Sequence, residues 1–202
     1  FAIHLLFVYL KLCGTKIIKI IGIINLFPNF VTLIVETNPL TYMRDLTITA
    51  IIKVYQYDEL NEADRALVTT AKEATARSYV PYSHFSVGAA ALLGDGTVVS
   101  GTNQENAAYP SGLCAERTTL FYANSRYPDQ PVITLAIAAR TEKDFIDNPI
   151  PPCGACRQVI LETEKRYGQP IRILLYGKEC IYEIKSIGDL LPLSFDASAM
   201  ED

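Results

Sequence analysis

Two short segments of the chain carry the residue types best suited to chemistry. One is Cys114-Ala115-Glu116, and the other is Pro151-Pro152-Cys153-Gly154-Ala155-Cys156. The sequence around each segment predicts that a helix begins there. A helix N-terminus carries partial positive charge, which favours thiolate over thiol and therefore favours metal binding. The two segments together predict a thiolate metal site with a carboxylate beside it.

The number of thiols indicates which kind of metal site this is. A Cys-x-x-Cys pair alone is a weak signal, since it also occurs in redox pairs and structural zinc knuckles. Cys153 and Cys156 are three residues apart, so their sulfurs would face the same side of a helix turn. Cys114 adds a third thiolate, and no fourth ligand stands at zinc-finger spacing. Structural zinc usually has four protein ligands, whereas catalytic zinc keeps one position for water, so we predict a catalytic Zn²⁺.

Glu116 and two arginines complete the predicted site. Glu116 is close to Cys114 in sequence without being needed as a ligand, and a carboxylate there could carry a proton to and from water. Three thiolates around Zn²⁺ leave a net charge of about -1, which weakens the pull of the metal on its water. We expect the two helix N-termini, together with Arg117 and Arg157, to balance that charge.

Elements of an α/β fold surround these segments. Residues 45–57 could form a strand or an ordered arm, and Asp-Gly between apolar runs at 94–96 predicts a hairpin. A nearly continuous apolar run predicts a strand buried on both faces at 132–140. Helical periodicity and chain breakers predict helices at 58–78, 114–124, 153–167 and 187–191, with strands at 85–93, 97–102, 132–140, 171–176 and 180–185. The order α-β-β-α-β-α-β-β predicts a sheet covered by helices on its faces.

Composition limits the class of function. The chain has 202 residues with a net charge of -4, and its lysines and arginines form no cluster. A chain of this kind is a poor nucleic-acid binder, so a small-molecule substrate is expected. Five cysteines are an odd number, which argues against a disulfide framework and for a reducing compartment, so we expect the cytoplasm.

The first 42 residues differ in composition from the rest. They are dominated by Ile, Leu, Phe and Val, with charges only at Lys11, Lys16, Lys19 and Glu36. Three interpretations are open: a membrane anchor or signal segment, a buried extension, or upstream sequence joined to a true start at Met43. We expect residues 1–42 to lie outside the native enzyme and residues 43–202 to form its domain. A membrane association is expected only if residues 1–42 are an anchor.

Several motifs in this order resemble the homotetrameric cytidine deaminases, from about Leu60 to Phe195. The resemblance implies a three-layer α-β-α fold with a central mixed sheet, Zn²⁺ as cofactor and a homotetramer with shared active sites. The matching segments are Pro81–Ala90, Asn103–Ala107, Cys114–Thr118, Pro152–Gln158, Leu190–Pro192 and Phe195.

The same resemblance implies a reaction and a role for each residue. The reaction is hydrolytic deamination of cytidine and 2′-deoxycytidine to uridine and 2′-deoxyuridine plus ammonia, as in pyrimidine salvage. Cys114, Cys153 and Cys156 would hold zinc, and Glu116 would shuttle the proton. Phe85 would pack on the pyrimidine, and Asn103 and Glu105 would bind the ribose. Tyr109 would line the pocket, and Phe195 would enter the site of a neighbouring subunit.

The sequence departs from the family pattern at a few positions, and it leaves other functions open. Gln104 replaces an apolar residue, Thr102 stands where Cys is common, and the loop before Pro152 is somewhat long. Phe85 could be plain core, and Phe195 could plug its own subunit. Blasticidin deaminase, deoxycytidylate deaminase, a polynucleotide editor and a zinc-stabilised interaction module are the rival functions. The sequence leaves the preference between cytidine and deoxycytidine undecided.

Overall fold

Along the chain, the structure falls into two units, Phe1–Thr47 and Ile48–Asp202. The computed structural model describes residues 5–12, 16–24, 31–36 and 45–200. In the first unit β1 (Leu5–Leu12), β2 (Lys16–Ile24) and β3 (Val31–Glu36) form an antiparallel sheet in the order β1-β2-β3. Cys13 and the predicted start at Met43 lie outside the described residues, and the expected boundary after residue 42 stays a prediction. None of the described helices is long and apolar enough to cross a membrane.

A six-stranded sheet organises the second unit. Its strand order is β4-β9-β8-β7-β5-β6. The β7–β8 pair is parallel and the other four pairs are antiparallel, so the predicted mixed sheet is confirmed. The strands are β4 (Ile52–Tyr55), β5 (Ser86–Leu93), β6 (Val98–Thr102), β7 (Val132–Arg140), β8 (Arg172–Tyr176) and β9 (Ile181–Ile184).

Helices cover both faces of this sheet, because side chains alternate across a strand. On β5, Ala90 packs in the core with α1 (Glu62–Ala74). Its neighbours Ala89 and Ala91 point to the other face and pack in the core with α2 (Ala115–Arg126) and α3 (Gly154–Tyr167). The three-layer arrangement expected from the sequence is confirmed.

The ends of several elements differ from the sequence prediction. The helix predicted at 58–78 is shorter, because the Asn61 side chain accepts from the backbone N–H of Asp64 and starts α1 there. Separate 3-10 turns at Tyr57–Glu59 and Thr75–Arg77 flank it. Residues 45–57 contain a strand only at Ile52–Tyr55, which pairs with β9 at the edge of the sheet. The helix predicted at 187–191 is a 3-10 turn at Ile187–Asp189.

Candidate active site

The three predicted ligand cysteines come together where α2 and α3 begin. Cys114 is the N-cap of α2, Cys153 is the N-cap of α3, and Cys156 lies in the first turn of α3. The Sγ atoms of Cys114 and Cys153 are 3.7 Å apart, and those of Cys153 and Cys156 are 3.4 Å apart. All three sulfurs lie within 4.8 Å of one another.

These distances fit a tetrahedral zinc ion. With Zn–S bonds of about 2.3 Å, tetrahedral geometry requires sulfurs about 3.8 Å apart. Cys114, Cys153 and Cys156 are free thiols, and they form the only such group of potential ligands among the residues that the structure describes. Three protein ligands leave one coordination position for water, as in catalytic zinc sites.

The pKa values of Cys114 and Cys156 are shifted in opposite directions. Hydrogen bonds from the Cys156 thiol and from the Arg117 guanidinium lower the pKa of Cys114 to about 5. The pKa of Cys156 is raised, because its thiol donates to Cys114 and is buried. Cys114 is therefore the first of these two thiols to ionise, and a dication bound among the three would favour the thiolate form of each.

Glu116 lies beside these thiols in a nearly closed environment. Its side chain is buried in the first turn of α2. Burial raises the pKa of Glu116, and the nearby negative charge of Cys114 raises it further. A carboxyl whose pKa is moved toward neutrality is suited to accept and return a proton.

The two arginines proposed to balance charge occupy different positions. Nη2 of Arg117 lies 4.0 Å from Sγ of Cys114 and donates to the carbonyl of Gly112 at 3.3 Å. Arg157 is directed elsewhere: Nε donates to the Pro152 carbonyl at 2.9 Å, and Nη1 donates to the Leu190 carbonyl at 2.6 Å. The structure therefore brings Arg117, but not Arg157, to a sulfur.

Two adjoining cavities lead to the thiols. The inner cavity, of about 270 Å³, reaches Glu116, Cys114 and Cys153. The outer cavity, of about 510 Å³, includes Tyr82, Gln104, Glu105, Tyr109 and Arg117. The two share Ser83, Asn103 and Cys114, so the pair forms one path. The apolar walls of the inner cavity are Phe85, Val87, Ile137, Ile150 and Pro151.

Asn103 lines both cavities and Glu105 lines the outer one, and the side chains of both bind neighbouring backbone. Asn103 accepts from the Val87 N–H through Oδ1 and donates to the Phe85 carbonyl through Nδ2, both at 2.8 Å. Each of these amide groups keeps capacity for a second hydrogen bond. Glu105 Oε2 accepts from the Tyr82 N–H at 2.9 Å. Hydrogen bonds from Ser83 and Tyr82 lower the pKa of Glu105, so it is a carboxylate.

Two aromatic residues predicted to bind substrate are largely exposed. Tyr109 is 75% exposed and contacts Tyr82 edge-on, with ring centroids 5.8 Å apart. Phe195 is 61% exposed and lines neither cavity. Its carbonyl accepts from Nε2 of Gln158 on α3 at 2.9 Å.

Comparison with known proteins identifies the family. Residues 61–167 match the family described as the cytidine and deoxycytidylate deaminase zinc-binding region. The chain belongs to this family. The matched region contains Cys114, Cys153, Cys156 and Glu116, and the expected cofactor of this deaminase chain, Zn²⁺, is confirmed.

Individual proteins similar to this deaminase chain are also cytidine deaminases. It is 43% identical over 136 residues to the cytidine deaminase of Halalkalibacterium halodurans, a match over 67% of this chain and 96% of that protein. It is 39% identical over 135 residues to the cytidine deaminase of Mycobacterium tuberculosis, covering 65% of this chain and 86% of that protein. The crystal structure of cytidine deaminase from Burkholderia pseudomallei superposes with a TM-score of 0.55 at 41% identity, covering 64% and 97% of the two chains. The cytidine deaminase-like fold is confirmed.

Some residues at the deaminase site were not found from the sequence. Ile137 and Ile150 line the inner cavity, and Tyr82 lines the outer one. Tyr82 stands inside the Pro81–Ala90 segment, which could have drawn attention to it. Nothing local distinguishes Ile150 from an ordinary loop residue, because its place in the cavity depends on contacts with distant parts of the chain.

Proposed function

We propose that the chain catalyses the hydrolytic deamination of cytidine and 2′-deoxycytidine to uridine and 2′-deoxyuridine plus ammonia, in pyrimidine salvage. One observation carries the proposal: the buried Glu116 carboxyl and a three-thiol zinc site open into the same cavity. Structural zinc would require neither an open cavity nor a carboxyl of raised pKa beside it.

The protein groups divide the work of the reaction. Cys114, Cys153 and Cys156 would hold Zn²⁺, which when bound supplies a Lewis acid that activates water. Glu116 would take one proton of the attacking water and give it to N3 of the pyrimidine. It would then take the remaining proton from the new hydroxyl on C4 and deliver it to the departing ammonia. General acid–base catalysis of this kind contributes roughly 10²–10⁴-fold. The apolar walls of the inner cavity would exclude other water from the reacting carbon.

Substrate recognition would follow the path from the inner to the outer cavity. Phe85 would pack against the pyrimidine, because it forms an apolar wall next to Glu116. Asn103 and Glu105 would bind the ribose hydroxyls with the hydrogen-bonding capacity they have left. Tyr109 would line the entrance.

The charge of the outer cavity favours a nucleoside over a nucleotide. Among the described residues that line it, Arg117 is the only cation, and it is directed to Cys114 and Gly112. The Glu105 carboxylate in the same cavity would repel a phosphate group. A deoxycytidylate substrate would need cations that this lining lacks.

Phe195 supports a shared active site. It lies outside both cavities of its own subunit, and the Gln158 bond holds its backbone on α3. We propose that it enters the site of a neighbouring subunit in a homotetramer.

The described cysteines indicate a reducing compartment. Four of them are free thiols: Cys114, Cys153, Cys156 and Cys180. We therefore propose that the protein is cytoplasmic.

The direct test follows the ultraviolet absorbance of cytidine and deoxycytidine with the zinc-loaded protein. Wild type should convert both nucleosides, and Glu116→Gln should bind zinc without turnover. If wild type with bound zinc converts neither, the proposal is wrong, and blasticidin is the next substrate to assay. If neither protein converts any of these substrates, and Glu116→Gln matches wild type in metal content and stability, the zinc-stabilised interaction module is favoured instead.

Subunit mixing tests the shared site. Phe195→Ala subunits should be weakly active alone, and Glu116→Gln subunits should be inactive alone. Co-expressed, they should regain activity, because sites in the Phe195→Ala subunits would receive Phe195 from Glu116→Gln neighbours. No recovery in a verified mixed oligomer would contradict the role of Phe195 in a neighbouring site.

A further inference from the structure

The loop of residues 141–150, here the 141–150 loop, is fastened to the turn between β8 and β9. The backbone N–H of Lys178 donates to the Ile146 carbonyl, and that of Glu179 donates to the Asp147 carbonyl, both at 3.0 Å. Ile146 in turn donates to the Ala139 carbonyl of β7 at 3.2 Å. Backbone hydrogen bonds therefore join the loop both to the β8–β9 turn and to β7.

Gly177 permits the closest part of this contact. A Cβ atom at position 177 would lie 2.5 Å from the Asp147 carbonyl oxygen and 2.6 Å from the Pro149 nitrogen. Both are backbone atoms, so they could not move aside as a flexible side chain does. Any side chain at position 177 would force the 141–150 loop away from the turn.

Side chains hold the same contact from both sides. Nζ of Lys178 pairs with Asp144 at 2.9 Å and with Asp147 at 3.0 Å. The Phe145 ring packs edge-on against Tyr176 of β8, with centroids 5.6 Å apart. Nζ of Lys72 on α1 lies 5.1 Å from the Phe145 centroid and 4.3 Å from that of Tyr176, which adds cation–π contacts.

The far end of this fastened loop reaches the inner cavity. Ile150 and Pro151 form part of its apolar wall, and Cys153 follows two residues later. Only Pro149 separates Ile150 from Asn148, whose carbonyl carbon lies 2.8 Å from the position of a Cβ on Gly177. A shift of the loop at Gly177 therefore reaches the cavity wall through one or two residues.

We propose that Gly177 is a positioning residue for nucleoside binding: it seats the 141–150 loop so that Ile150 forms a fixed wall against the pyrimidine. This inference rests on the proposed function and adds a substrate-affinity determinant outside the cavity. Gly177 touches no substrate and acts through Ile150. The chain thus uses its long loop to shape the base-binding end of the site.

A double-mutant cycle on KM tests this arrangement. Gly177→Ala should raise KM for cytidine on the order of tenfold, with kcat changed less than about threefold and zinc content unchanged. Ile150→Ala should also raise KM. The double variant should raise KM far less than the product of the two single effects, because both changes act on one wall. General destabilisation would instead give multiplicative effects.

Matched controls keep the test decisive. Gly188→Ala adds a methyl group whose nearest neighbour is Ser186 Oγ at 3.7 Å, so it should leave KM unchanged. If Gly177→Ala does not fold, the cycle uses Lys178→Met, which removes both ion pairs and keeps the backbone contact. Unchanged KM in Ile150→Ala, or multiplicative effects in the cycle, would overturn the inference while wild-type turnover leaves the proposed function standing. Absence of wild-type turnover would mark failure of the proposed function itself.

Discussion

Gln104 donates a hydrogen bond through Nε2 to Oγ1 of Thr102 at 2.7 Å. These are the two residues named above as departures from the pattern of the family that the sequence resembles. Thr102 is buried at the end of β6, and its hydroxyl also donates to the Arg77 carbonyl at 3.4 Å. The two departures therefore form one polar pair, which ties the segment bearing Asn103 and Glu105 to the turn after α1.

This pairing predicts coupled effects on stability. Gln104→Leu should lower the free energy of unfolding by about 1 kcal/mol, because the Thr102 hydroxyl loses its donor. Thr102→Val should cost a similar amount. The double variant should cost less than the sum, since it leaves neither partner unsatisfied. Chemical denaturation of the four proteins measures the coupling, and strictly additive costs would show that the hydrogen bond contributes nothing.

Zinc binding should depend on the three clustered cysteines and not on the fourth described cysteine. Cys156→Ser should leave the protein with less than one zinc per chain and lower kcat/KM more than about 100-fold. Cys180→Ser is the matched control, because Cys180 is not in the cluster. Metal analysis and turnover are read on the same samples. Full zinc occupancy in Cys156→Ser would remove this thiol from the ligand set.

Arg117 should support zinc binding by lowering the pKa of Cys114. Arg117→Ala removes the guanidinium 4.0 Å from Sγ, so protons should compete better for the thiolate. Zinc affinity at neutral pH should fall about tenfold, and the loss should shrink as pH rises. Arg157→Ala should leave zinc affinity nearly unchanged, because Arg157 binds backbone carbonyls. Competition with a chelating dye at several pH values measures both, and equal affinities in wild type and Arg117→Ala would contradict the prediction.

Acid should break the ion pair between Lys165 on α3 and Asp196 in the segment that follows β9. The Lys165 ammonium, 2.8 Å away, and the Ser198 hydroxyl lower the pKa of Asp196 to about 2. A depressed folded-state pKa means that the stabilisation is present above the unfolded value of about 3.9 and is lost as pH falls toward 2. Asp196→Asn should therefore be less stable than wild type at pH 5–7, with the difference shrinking as pH falls through 2 and vanishing near pH 1. Thermal melting followed by circular dichroism checks this, and an undiminished difference near pH 1 would assign the effect to packing.

Much of this fold was predictable because local and global signals agree. Gly94-Asp95-Gly96 marks the hairpin, and the unbroken apolar run at Val132–Arg140 marks a strand buried on both faces. The placement of Cys114 and Cys153 at helix starts followed from local sequence as well. Their meeting at 3.7 Å required the sheet to bring two helix N-termini to one point, which the zinc-ligand pattern anticipated.

Other features depend on contacts that no local pattern encodes. The sequence suggested that Arg157 would face a sulfur, but the Leu190 carbonyl, 33 residues away in the chain, receives its Nη1 donor. Ile150 enters the inner cavity because Gly177 seats its loop, and neither residue type is unusual in isolation. The start of α1 differs from the prediction because the Asn61 side chain caps the helix there.

Cys114 and Cys153 are 39 residues apart in the chain, yet one ion would join them. A bond of that span closes a loop in the unfolded chain as a disulfide does. The chain-entropy treatment of disulfides assigns such a closure about 4 kcal/mol. Zinc here would therefore be a reversible cross-link between the starts of α2 and α3. The free energy of unfolding would then depend on the free zinc concentration around the protein as well as on its hydrophobic core.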